Sequence, residues 1–128
     1  MRKSDQIFFL LYGFIVWALA TASFKVIGFD TDLTALNFIF LIVMMPVLNL
    51  TGYRVRAVKG LAKFKASMLF AVSGMLLDAV LLLNYPIFFS ADNFPLMPTQ
   101  GHFLGAWVLF GNALTLLTAY ISQLTEKT

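Results

Sequence analysis

The sequence predicts an all-α fold, an integral membrane four-helix bundle, on three observations. Hydrophobic residues make up 60% of the chain and charged residues 12%, where a soluble domain carries about 25% charged residues. Four apolar stretches, at about 7–27, 34–50, 67–88 and 103–124, are near the roughly 20 residues a helix needs to cross a bilayer. Basic residues gather in alternate connections between them. Mean hydropathy is +0.86, which leaves too little polar surface to cover a water-soluble globule. The connections are short, so successive helices are expected as antiparallel neighbours within one transmembrane domain spanning 1–128. No soluble domain, linker, low-complexity tract or internal repeat stands out.

The first span opens after Arg2 and Lys3 and carries Leu11, Phe14, Ala18, Thr21 and Lys25 along one face. A basic start, an apolar run and Ala20-Thr21-Ala22 also fit a signal peptide with its cleavage site. The apolar character continues through Val26 and Ile27, however, and no soluble domain follows, so an uncleaved span is expected. The second span contains Pro46, which lacks a backbone donor and should kink the helix near Ile42. Between the second and third spans, Tyr53–Ala66 mixes basic residues with Val55, Val58 and Leu61 at roughly helical spacing. This connection is expected to lie on the inner leaflet. The third span carries Asp78 near its centre. Pro86, Pro95 and Pro98 bracket the connection to the fourth span, which carries Asn112 near its own centre.

Orientation follows from Lys and Arg in the connections. Arg2 and Lys3, then Arg54, Arg56, Lys59, Lys63 and Lys65, then Lys127 all fall on one side of a four-span chain. Lys25 falls on the other, with Asp30, Asp32 and Asp92. Both termini and the middle connection are therefore expected in the cytoplasm, an N-in and C-in arrangement. Tyr53, Tyr85, Trp107 and Tyr120 lie near span ends, where interfacial aromatics collect.

Asp78 is the residue that asks for a reason. An unpaired charge at a helix centre costs about 2.5–3.5 kcal/mol or more on insertion scales. Asp78 should therefore face the bundle interior and find a partner, or stay protonated. Ser67, Ala71, Gly74, Asp78 and Tyr85 form one stripe of the third span, whose small members allow close helix approach. Gly101, Gly105, Val108, Asn112, Thr115, Ala119 and Ser122 form the matching stripe of the fourth, with Gly101 and Gly105 as a small-xxx-small pair. An Asp78–Asn112 contact is the simplest inference. Lys25 is the second candidate partner, and Asn84 and Asn37 share its half of the bundle. Two function classes remain open. One is a structural or accessory bundle held by a polar cluster around Asp78, the more economical reading. The other is a small transporter or permease-like protein using Asp78 to couple a proton, ion or substrate.

Other chemistry is sparse. With no cysteine, disulfides, thiolate catalysis and Cys-based metal sites are excluded. His102, with Asp92, Asp30 and Asp32, matches no metal-ligand spacing and reads as an interfacial residue. No nucleophile–base–acid set and no Gly-rich phosphate loop is present, so neither enzyme activity nor a cofactor is expected. Arg54, Arg56, Lys59, Lys63 and Lys65 are candidates for lipid headgroups, at about 1 kcal/mol per basic residue near an anionic surface. The bilayer is the expected partner, with a homo-oligomer or membrane-protein partner open and nucleic acid excluded by the short, tethered basic segment.

The segments "WALATASFKVIG", "GMLLDAVLLL" and "LGAWVLFGNALTLLTAY" resemble a family of small bacterial four-helix membrane proteins classed as a domain of unknown function. The likeness is anchored at Trp17, Gly28, Gly74, Asp78 and the Gly105-Ala106-Trp107 run. It departs at Lys25, where the family pattern suggests arginine, and at Ser73, where it suggests proline. It implies a bacterial plasma membrane location and no established activity. Small multidrug-resistance transporters have a similar length and four spans, but their essential Glu lies in the first span, where this chain has no acid.

The charge asymmetry makes a topological prediction. In this cysteine-free chain, single cysteines at Ser4, Thr99 and Thr125 should be labelled by an impermeant maleimide from outside only at Thr99. External labelling at Ser4 would overturn the four-span, N-in arrangement.

Overall fold

The computed structural model describes residues 1–27, 34–84 and 100–126, with side chains described for 1–22, 38–84 and 105–126. Within them lie four helices, α1 (Lys3–Ile27), α2 (Thr34–Val55), α3 (Ala62–Leu83) and α4 (Gln100–Glu126). All four contain segments long and apolar enough to cross a membrane. The bundle exterior is apolar along its length, with Ile7, Leu11, Ile15 and Leu19 exposed on α1 and Leu76, Val80 and Leu83 on α3.

Each helix has a local reason to begin or end. Asp5 places a carboxylate in the first turn of α1, where it accepts from the Arg2 backbone N–H at 3.3 Å and complements the helix dipole. Helix α2 runs unbroken through Pro46. It closes in a Schellman pattern, with Val58 N–H donating to the Tyr53 carbonyl and Ala57 N–H to the Arg54 carbonyl. Ala57 occupies the left-handed position at φ 51°, where glycine is the usual residue. Val58, next in line, is buried against Phe9, Tyr53 and Ala66. Both α2 and α3 extend into the basic connection, so only a tight turn remains between them, with Gly60 also left-handed at φ 55°.

Helix α3 is the hub. It packs against α1 on one side and α4 on the other, and α2 packs mainly on α4. This corrects the expectation that each successive pair would be neighbours. Helices α1 and α2, and α2 and α3, meet only locally. The α1–α2 meeting point is one of these, where Tyr12 donates to the Leu48 carbonyl at 3.0 Å and the Phe9 and Tyr12 rings cover Gly52. The physical reason is that apolar surfaces are interchangeable in lipid, whereas close approach and polar pairing are not. Helix α1 meets α3 most closely at Gly13, where a Cβ would collide with the Phe70 carbonyl and Ser73 Oγ. Helix α2 is tied to α4 by Asn49, whose Nδ2 donates to Thr115 Oγ1 at 3.3 Å.

Asn49 centres a buried polar layer. Its Nδ2 also donates to the Met45 carbonyl at 2.8 Å, and its Oδ1 accepts from Ser67 Oγ at 3.1 Å. Ser67 is paired in turn with the Tyr53 hydroxyl. Three helices are joined through side chains that are nearly or wholly buried. Nearer the termini an ionic layer follows. Asp5 pairs with Arg56 at 2.6 Å and with Arg2. Lys63 pairs with Glu126 at 2.5 Å and donates to Ser122 Oγ at 2.7 Å. Glu126 Oε2 also accepts the Gly60 N–H at 2.6 Å. The start of α1, the α2–α3 turn and the end of α4 thus gather at one end of the bundle.

The glycine contacts predict opposite outcomes for two substitutions. Gly13→Ala should destabilise the bundle by about 1–3 kcal/mol through overpacking against α3 backbone. Gly105→Ala should be neutral or stabilising by up to about 1 kcal/mol from helix propensity. Thermal unfolding of both variants in detergent checks the pair.

Candidate functional site

The strongest concentration of chemistry lies around Asp78, in the half of the bundle away from the ionic end. Asp78 is 6% exposed. Its Oδ1 accepts the Trp17 indole N–H at 2.7 Å, and the Asn112 side chain lines the same cavity. Asn112 Nδ2 donates to the Val108 carbonyl, one turn back, at 2.9 Å, which steadies the amide on α4. A buried carboxyl needs such a donor as the indole because desolvation without hydrogen bonds costs several kcal/mol.

The backbone geometry behind this cluster is set by small residues. At Gly74, one turn before Asp78 on α3, a Cβ would lie 3.9 Å from Asn112 Oδ1 and 4.0 Å from Trp17 Cδ1. The stripe therefore carries the indole and the amide to either side of α3. Gly13, one turn before Trp17, brings α1 close enough for the indole to reach.

Beside the carboxyl lies a cavity of about 70 Å³ to which all four helices contribute. Trp17, Met45, Phe70 and Trp107 supply large apolar wall, and Asp78 and Asn112 supply polar atoms. A water takes about 30 Å³ in the liquid, so the space suits a few waters or a small ion. Drug-sized ligands occupy pockets of about 300 Å³ or more.

The remaining candidates fall in other places. The side chains of Lys25 and Asn37 lie outside the described residues, as do His102, Tyr85 and Gly28. Asn84 ends α3 and donates to the Val80 carbonyl on its own helix at 2.9 Å, away from the cluster. Gly105 has no described atom within 4 Å of a Cβ position, so among the described residues no close packing is made there. Of the basic residues, Arg54, Lys59 and Lys65 are exposed. Arg56 is committed to Asp5 and lies over the Phe8 ring. Lys63, expected at lipid headgroups, is instead buried at 8% exposure and paired with Glu126, because α3 begins early enough to turn it inward. Tyr53 and Trp107, expected as interfacial aromatics, are both buried in the core.

Trp17, Asn49 and Gly13 are the site and core residues that sequence reasoning did not assign. A signal for Trp17 was available. An indole N–H in an apolar helix must find an acceptor, and Trp17 and Asp78 stand at similar depth from Lys3 and Lys65, which lie near the starts of their helices.

An all-α bundle of four span-length helices with an acid at its polar centre is the class defined by these features. A profile of the family of unknown function DUF5367 matches residues 26–126, and the chain belongs to that family. No curated protein and no solved structure matches the chain. Asp78, Asn112 and Trp107 lie within the matched segment, and Trp17 lies before it.

The Trp17–Asp78 bond is measurable by a double-mutant cycle. Trp17→Phe and Asp78→Asn should each destabilise the bundle, and their combination should cost less than the sum. A coupling energy of about 0.5–2 kcal/mol is expected for an interhelical hydrogen bond in this setting, read from unfolding in mixed micelles.

Proposed function

We propose that this chain is a multi-pass plasma membrane protein of the small transporter or permease-like type. In this reading Asp78 is the group that takes up a proton, ion or small substrate in an intramembrane cavity. The observation that carries the reading is the cavity itself. A carboxyl serving only as glue between helices is best placed in a closed contact, with packing as dense as the rest of the interior. Asp78 instead borders open volume reached by side chains of all four helices. The work of holding the bundle together has other owners, the Asn49 layer and the ion pairs at the end of the bundle. Ionisable residues facing an interior cavity in membrane bundles commonly mark ion and substrate pathways.

The described aperture is small, and enclosing a continuous path calls for a second copy or a change of helix packing. The chain's charge asymmetry supports the N-in, C-in orientation, which puts the ionic end at the cytoplasmic face and Asp78 in the outer half. The apolar, cysteine-free composition supports neither enzymatic chemistry nor nucleic-acid binding.

The two tryptophans of the chain, Trp17 and Trp107, both line the cavity, so intrinsic fluorescence reads the site directly. Emission of the purified protein should titrate with pH as the carboxyl changes charge beside the Trp17 indole. The Asp78→Asn variant should fold and lose that titration together with any pH-driven flux in vesicles. A flat wild-type profile, or flux unchanged in Asp78→Asn, would sink the coupling role.

A further inference from the structure

We propose that the Asp78 cavity takes a small organic ammonium ion. This rests on the reading of Asp78 as a binding site and adds the chemical class of the ligand. The argument begins with charge. Asp78 is held by a neutral donor, the Trp17 indole, and the neutral Asn112 amide lines the same cavity. Among the described residues, no Lys or Arg lines the cavity. Lys25 is the basic residue of α1 on this side, and its backbone stands about 12 Å further along the helix axis than Trp17. An ionised Asp78 therefore gives the cavity a negative charge without a lining cation, and a cationic guest completes it.

The wall then selects among cations. Trp17, Phe70 and Trp107 contribute aromatic surface, and tryptophan is the strongest of the aromatic faces for cation–π attraction. Calcium or magnesium needs about six oxygen ligands. Among the described residues, the cavity's side-chain oxygens are those of Asp78, Asn112 and Thr21, too few to replace a hydration shell. A methylated ammonium is weakly hydrated, carries apolar surface that the wall can cover, and fits a volume of about 70 Å³. A protonated amine would in addition donate to the Asp78 carboxylate.

The test uses the full-length protein in detergent, with methylammonium and tetramethylammonium chloride as probes and sodium chloride at equal ionic strength as the reference. Tryptophan emission should change saturably with an ammonium salt and not with sodium. Lowering the pH should weaken apparent affinity by about tenfold per unit once protons compete for the carboxylate, an outcome that needs no variant. Asp78→Asn should weaken binding at least about tenfold, and Trp107→Leu should weaken it with the pH titration of Asp78 retained. No saturable response beyond sodium, in a protein whose emission still titrates with pH, would overturn the ammonium assignment and leave the proton-coupling reading standing. Loss of the pH titration as well would overturn both. If binding appears only in Lys25→Met, the cation of this cavity is the chain's own lysine, and the proposal fails.

Discussion

A carboxyl buried among apolar helices constrains everything around it. Asp78 must have hydrogen-bond donors, because leaving it desolvated and unpaired would cost more than most single contacts supply. Trp17 on α1 meets that demand, Asn112 on α4 lines the same cavity, and α3 packs against both α1 and α4. Gly13 and Gly74 make the approach physically available. At Gly13 the α3 backbone and Ser73 fill the space a methyl would need, and at Gly74 the indole and the amide flank the bare backbone.

The same logic repeats down the bundle in two further layers. The Asn49 layer joins α2, α3 and α4 through side chains nearly shielded from outside. The ionic layer joins the start of α1, the α2–α3 turn and the end of α4 through pairs in which one charge is buried and the other partly exposed. Between these layers the contacts are aromatic and aliphatic and would tolerate sliding. Directional polar pairs remove that freedom and set the axial register of the helices. Individually such pairs are modest, averaging about 0.6 kcal/mol between membrane helices, so their value lies in choosing one arrangement among near-equals.

Dense pairing and open space separate along the bundle axis. The ionic and Asn49 layers are densely partnered, and the Asp78 layer is where packing leaves space. Gly13, Gly74 and Gly111 line that space along with the two tryptophans. Small and very large residues do not tile without a gap. A gap beside an acid is costly as architecture, since its lining loses dispersion contacts, and it is useful for holding something charged.

Much of this molecule was legible in one dimension. Apolar run length identified four helices, and the stripe of Gly74 and Asp78 against that of Asn112 pointed to the polar centre, because helical periodicity maps sequence spacing onto a face. Membership of a family of unknown function was likewise readable from "GMLLDAVLLL" and "LGAWVLFGNALTLLTAY". Helix order was not legible, because outward-facing and core-facing leucines look alike and short connections do not dictate which helices touch. Nor was the choice of Trp17 as donor, the inward turn of Lys63, the packing role of Gly13 over Gly105, or the Asn49 layer. Each depends on which residues of distant segments arrive at the same depth and face. The sequence by itself determined how many helices there are and which residue most needs a partner. Only the tertiary structure decided which partners it has and that a cavity lies beside it, because partner choice and empty volume are properties of packed surfaces and not of any single helix.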